Sequence, residues 1–95
     1  MIVQQAIEAI LTEVPKGAVF DSHFIIARLI KCHSDEYLTF ASGISSETDK
    51  TLTVHGKIGQ EIAKFESNRL RRLTQPSWSE NIHSNASPCT CWEKL

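Results

Sequence analysis

Between residues 54 and 65, Val54, Ile58, Ile62 and Phe65 advance by four, four and three positions, a spacing that aligns them on one face of an α-helix at about 100° per residue. A helix with a single apolar stripe must bury it, so this segment demands a packed layer elsewhere in the chain. Length limits how that layer is supplied. Ninety-five residues suit one core, because two would leave each half too small to be stable unaided. A single domain over 1–95 follows, and 41% hydrophobic against 22% charged residues provides enough apolar material for a modest core.

The partners for the stripe are visible upstream. Ile2, Ala6, Ile10 and Leu11, with Val3, Ile7 and Val14 close by, give a first helix over 2–13 that Pro15 stops. Lys16-Gly17 turns the chain into Ala18-Val19-Phe20, a short strand. Asp21 stands where its carboxylate can accept the free N–H groups of a second helix over 22–32. In that helix Phe24, Ile25, Ala27, Leu29 and Ile30 are apolar, and Arg28 and Lys31 are left for solvent. Ser34 is positioned to cap a short helix through Tyr37, Leu38, Phe40 and Ala41, with Gly43 as its stop.

Ser42 to Thr51 reads as a loop, although the Ser46-x-x-Asp49 spacing offers an earlier start for the striped helix than Thr51 or Thr53. Beyond that helix, Arg69 to Thr74 and Cys89 to Leu95 read as two strands joined by a long polar connection. Trp92 is expected to return to the core, with Trp78 and Ile82 anchoring the connection.

Charge is distributed unevenly. The net charge is -1, but residues 1–49 hold three cations against seven anions and residues 50–95 hold seven against four, which suggests a face for an anionic partner. No apolar run reaches the roughly 18 residues of a membrane span. The opening segment, with Gln4, Gln5, Glu8 and Glu13, lacks the basic start and unbroken apolar stretch of a secretory signal. Three cysteines, Cys32, Cys89 and Cys91, are not an even-numbered disulfide framework, and a reducing, cytoplasmic setting is expected. Asn85-Ala86-Ser87 matches a glycosylation acceptor and matters only in a secreted chain.

Helix, short strand, helix, helix and then two strands joined by a loop make an α+β order that resembles the winged helix-turn-helix domain. The resemblance covers nearly the whole chain and rests on element order, with Ala18 to Phe20 as first strand, Thr53 to Glu66 as recognition helix and Arg69 to Leu95 as wing. An extra short helix at 35–42 and a longer wing depart from the family pattern. The resemblance implies a small DNA-binding or transcription-regulatory protein with double-stranded DNA as partner. It places Lys57, Gln60 and Lys64 toward base edges or phosphates, and Arg69, Arg71 and Arg72 toward the backbone. If the strand alternates, Arg72 shares a face with Leu70 and can lay its stem beneath Trp78 or Trp92.

A protein-interaction module of the same architecture is the alternative, favoured by the net negative charge and by Glu61 and Glu66 flanking the basic face. In either case Gly56 and Gly59 carry a helix penalty of up to about 1 kcal/mol each relative to alanine, which close approach of another surface would explain. Family habit also implies a homodimer through the first helix, using Ile2, Val3 and Ile7.

No metal, cofactor or catalytic site is expected. His23, His33, His55 and His83 accompany the cysteines, and Cys89-x-Cys91 puts two thiols on one strand face, but zinc knuckles of the C-x2-4-C kind are absent. Cys32-His33 and His83 complete a site only if the fold joins them, so the thiols are expected to be buried and inert. Cys91 or Ser79 with His83 satisfies the residue types of a nucleophile and base and nothing more. A phosphate loop, nucleophile elbow and HExxH are all missing.

Overall fold

Three helices and one tryptophan close around the striped helix. The computed structural model describes residues 2–45, 50–81 and 84–95. Its elements run α1 (Val3–Glu13), β1 (Val19–Asp21), α2 (Ser22–Cys32), α3 (Ser34–Ser42), α4 (Lys50–Ala63), β2 (Leu70–Arg72), β3 (Ser77–Glu80), β4 (Ala86–Cys89) and β5 (Cys91–Lys94). The result is a small α+β structure of four helices and a hairpin-bearing sheet, consistent with a winged-helix-like fold. No helix among the described residues is long and apolar enough to cross a membrane.

The core joins Ala6, Ile7, Ile10 and Leu11 of α1 to Ile25, Ile26 and Leu29 of α2 and to Val54, Ile58 and Ile62 of α4. Phe65 lies just past the end of α4 and packs against this cluster while remaining half-buried. Helix α1 therefore spends Val3 and Ile7 on the interior, leaving Ile2 as its large exposed apolar residue. The surplus apolar surface anticipated for self-association is correspondingly small. Helix α3 is held differently: none of its residues is fully buried, and Tyr37 Oη bonds His55 Nε2 of α4 at 2.9 Å. Its N-cap is His33 rather than Ser34, with no side-chain cap bond.

Helix ends explain two further residues. Asp21 Oδ1 accepts from Phe24 N at 2.9 Å, the N-cap the sequence indicates. At the C-terminal end of α1 the ammonium of Lys94 donates to the carbonyls of Leu11 (2.7 Å) and Val14 (3.0 Å), where the helix dipole favours a cation. The chain then turns through Gly17, whose φ of 86° suits glycine.

The sheet has order β1-β5-β2, antiparallel throughout, so the last strand is central. Phe20 and Arg72 flank Trp92 in register. Trp92 is 1% exposed, donates its indole N–H to Ser22 Oγ at 3.2 Å and lies 4.8 Å beneath the Arg72 guanidinium, a cation–π contact. The polar stretch from 75 to 88 departs from the expected loop. Its strands β3 and β4 pair antiparallel, Ser77 with Cys89 through Glu80 with Ala86, while Leu73 N to Cys91 O at 2.9 Å extends the β2–β5 ladder toward them. Trp78 anchors nothing, being 71% exposed on the outer face of β3. Ile82, His83, Ser46 and Asp49 lie outside the described residues.

Ile58→Ala should lower stability by about 2–5 kcal/mol, since it empties a fully buried site at the centre of the stripe. Leu38→Ala, at a 61% exposed position, should change it by less than about 0.5 kcal/mol. Urea unfolding followed by far-ultraviolet circular dichroism measures both.

Candidate nucleic-acid interface and the adjoining cleft

On α4 the side opposite the buried stripe is formed by Gly56, Lys57, Gln60 and Lys64, all exposed. A Cβ built at Gly56 or Gly59 meets nothing within 4 Å. The glycines therefore open space rather than admit a neighbouring part of the chain. Both line a cleft of about 280 Å³ whose walls are the start of α2 (Ser22, His23), α4 (Leu52, His55) and β4 with its exit (Ser87 to Thr90). A larger concavity of about 400 Å³ lies among apolar groups of α1, β1 and α2, and its two charged lining residues, Glu13 and Arg28, pair with each other at 3.3 Å.

The six residues expected to meet DNA divide sharply. Lys57 and Gln60 are exposed on the outer face of α4. Lys64 pairs with Glu61 at 2.7 Å. Arg69 reaches back to α1, pairing with Glu8 at 2.9 Å and touching Thr12 Oγ1 at 3.4 Å. Arg71 pairs with Glu93 on the neighbouring strand, and Arg72 contacts Glu66 at 3.4 Å while covering Trp92. Surface pairs of this kind contribute at most about 1 kcal/mol each, so they do not lock the side chains. They do balance charge locally, which weakens the attraction of the basic half for a polyanion.

A second polar group lies where the hairpin meets the start of α2. Ser77 Oγ donates to Asp21 Oδ2 at 2.7 Å, and Ser79 Oγ lies 2.7 Å from His23 Nδ1 and 4.0 Å from Cys89 Sγ. Burial by itself raises the Asp21 pKa, but the bonds from Ser77, Phe24 N and Ser79, with His23 nearby, outweigh it and hold the carboxyl below its ordinary value. Alternation in β3 produces this arrangement: Ser77 and Ser79 face inward, Trp78 and Glu80 outward.

The donor atoms of Asp21, His23 and Cys89 all lie within 4.8 Å of one another. Cys89 and Cys91 do not share a strand, because the chain breaks at Thr90 between β4 and β5. Cys32 is exposed rather than buried, and the other two thiols are half-buried. Neither Cys32 nor His33 joins a group of potential metal ligands among the described residues, and His83 lies outside them. Sequence order gave no signal for the Asp21, His23 and Cys89 group, since the side-chain contacts of the β3–β4 hairpin with the start of α2 bring it together.

No protein-family model, curated protein or solved structure matches this chain.

The lowered Asp21 pKa has a defined sign. Its contribution to stability is present above the ordinary carboxyl value of 3.8 and is lost as pH falls through the lower folded-state value. Asp21→Ala should cost about 1 kcal/mol at neutral pH through loss of the cap and should flatten the acid limb of a stability-against-pH curve. Asp21→Asn, which can still cap, should flatten that limb while retaining most of the neutral-pH stability. Urea midpoints between pH 2 and 7 test both.

Proposed function

We propose that this chain is a winged-helix DNA-binding domain that approaches duplex DNA with the outer face of α4, the β3–β4 hairpin standing beside it. The observation that carries this reading is the character of that face: Gly56, Lys57 and Gln60 are exposed, and open space lies over Gly56 and Gly59. A helix entering a major groove needs a protruding face without bulky or acidic groups at its centre, and a nearby element to meet the flanking backbone. Lys57 supplies a charge for phosphate, and Gln60 carries the donor and acceptor that match an adenine edge. Arg69 and Arg71 act chiefly as clamps, tying the start of the ribbon to α1 and to β5.

A protein-interaction role for the same face is the second reading. It is favoured by the ion pairing of Lys64, Arg69, Arg71 and Arg72 to carboxylates, which leaves little unbalanced positive charge, and by Leu52 in the cleft with 72% exposure.

Fluorescence anisotropy with a short mixed-sequence duplex, titrated over a range of salt, separates the two. The DNA reading expects binding that weakens steeply as salt rises, because contacted phosphates release counterions. Lys57→Ala should reduce the slope of log affinity against log salt by about 1, whereas Arg71→Ala should change affinity by less than about twofold, its partner being Glu93. Salt-independent or absent binding at low ionic strength rejects DNA and leaves the protein-interaction reading.

Gly56→Ala provides a separate check. It should raise stability by up to about 1 kcal/mol and weaken DNA binding by filling the approach to the helix backbone. A variant that is both more stable and equally tight would count against close approach at this turn.

A further inference from the structure

We propose that Asp21, His23 and Cys89 form a binding site for a zinc-class divalent cation, which fastens the β3–β4 hairpin to the start of α2. The inference stands on the donor set and its framework, and does not depend on DNA binding. One carboxylate oxygen, one imidazole nitrogen and one sulfur lie within 4.8 Å of one another. Tetrahedral zinc, with bonds of about 2.0–2.3 Å, separates its donors by roughly 3.3–3.8 Å, so the group closes on an ion through side-chain movements of about 1 Å. An oxygen, nitrogen and sulfur combination suits zinc better than magnesium or calcium, which take oxygen alone.

Each ligand sits on or at the end of a regular element. Asp21 ends β1 opposite Cys91 of β5, His23 is in the first turn of α2, and Cys89 ends β4 opposite Ser77 of β3. Ser77 orients the Asp21 carboxylate through Oδ2, the outer-shell support that metal-binding carboxylates commonly have. The Ser79 hydroxyl now contacts two of the three ligands, 2.7 Å from His23 Nδ1 and 4.0 Å from Cys89 Sγ.

Binding is balanced simply. The Cys89 thiol loses its proton to solvent, His23 offers the lone pair of one ring nitrogen, Asp21 is already a carboxylate, and the hydrated ion releases water as the three bonds form. Three protein ligands leave one position for water or for the displaced Ser79 hydroxyl. Because a proton leaves as the metal–sulfur bond forms, binding releases acid. The ion joins α2 to the hairpin across 66 residues of sequence between His23 and Cys89, so it acts on the position of the wing.

Cobalt(II) titration of the reduced, metal-free protein tests the site. Cobalt held by a thiolate gives a near-ultraviolet charge-transfer band, and tetrahedral cobalt gives intense visible bands. The expected result is both signals saturating at one equivalent and reversed by zinc. Cys89→Ser should abolish the charge-transfer band, while Cys91→Ser and Cys32→Ser keep it. His23→Gln should retain the band but weaken cobalt affinity at least tenfold, giving a second test that leaves the thiol in place. Zinc at about a hundredfold excess over its Kd should raise the wild-type Tm by roughly 10–20 °C and leave that of folded Cys89→Ser unchanged. A wild type with no thiolate band at molar excess of cobalt overturns the proposal, as does a band that survives Cys89→Ser or an affinity unchanged by His23→Gln.

Discussion

The last strand of the chain holds the structure together, and Trp92 is the residue through which it does so. Among the described residues β5 is the only strand paired on both sides, with β1 and with β2. On it Trp92 carries the largest fully buried side chain. Its burial removes a large apolar surface from water, and the cost of burying the indole N–H is offset by Ser22 Oγ. Two residues later Lys94 finishes α1 by donating to Leu11 and Val14. The chain's end thus secures its beginning. With Leu70 of β2, Trp92 brings the sheet into the core cluster that α1, α2 and α4 form, to which α3 contributes no fully buried residue.

What was legible in the sequence was whatever depends on local periodicity. The steps of four, four and three from Val54 to Phe65 identified α4 because a helix repeats every 3.6 residues regardless of context. Asp21 was legible as a cap because capping is decided within three residues. Trp92 was legible because a large apolar group in a short terminal strand has one favourable place to go. The hairpin at 77–89 was not legible: Ser77, Ser79, Ser87 and Pro88 are poor strand formers. Their pairing rests on cross-strand bonds and on Ser77 and Ser79 finding Asp21 and His23, 56 residues away in each case. Trp78 misleads for the same reason, since its neighbours on β3 supply the inward face and leave the ring outside.

The candidate interface was legible as an inventory and not as an electrostatic surface. Lys57, Gln60, Lys64, Arg69, Arg71 and Arg72 all stand on or next to α4 and β2, but charge counts along the chain say nothing about pairing across it. Arg69 meets Glu8 from the first helix, 61 residues distant, and Arg71 meets Glu93 across the ladder. The acidic first half meets the basic second half at the Arg69–Glu8 contact, whereas Arg71 is balanced within its own half. Polarity along a sequence becomes polarity of a surface only where the fold keeps the two halves apart.

The glycines of α4 sharpen this point. Alanine at 56 or 59 would cost nothing in space within the chain and would strengthen the helix, so internal packing gives no reason for either residue. Both border the cleft between α4 and the hairpin, where the hairpin is held to α2 through the Asp21, Ser77, Ser79 and His23 bonds rather than through apolar burial. Hydrogen bonds at a half-exposed contact contribute about 0.5–1.5 kcal/mol each, far less than the buried stripe contributes to the core. The hairpin can therefore change its spacing from α4 without disturbing the packing around Trp92. The width of the cleft, and with it access to the glycine face, is set by the polar group at Asp21 and His23 rather than by the hydrophobic core.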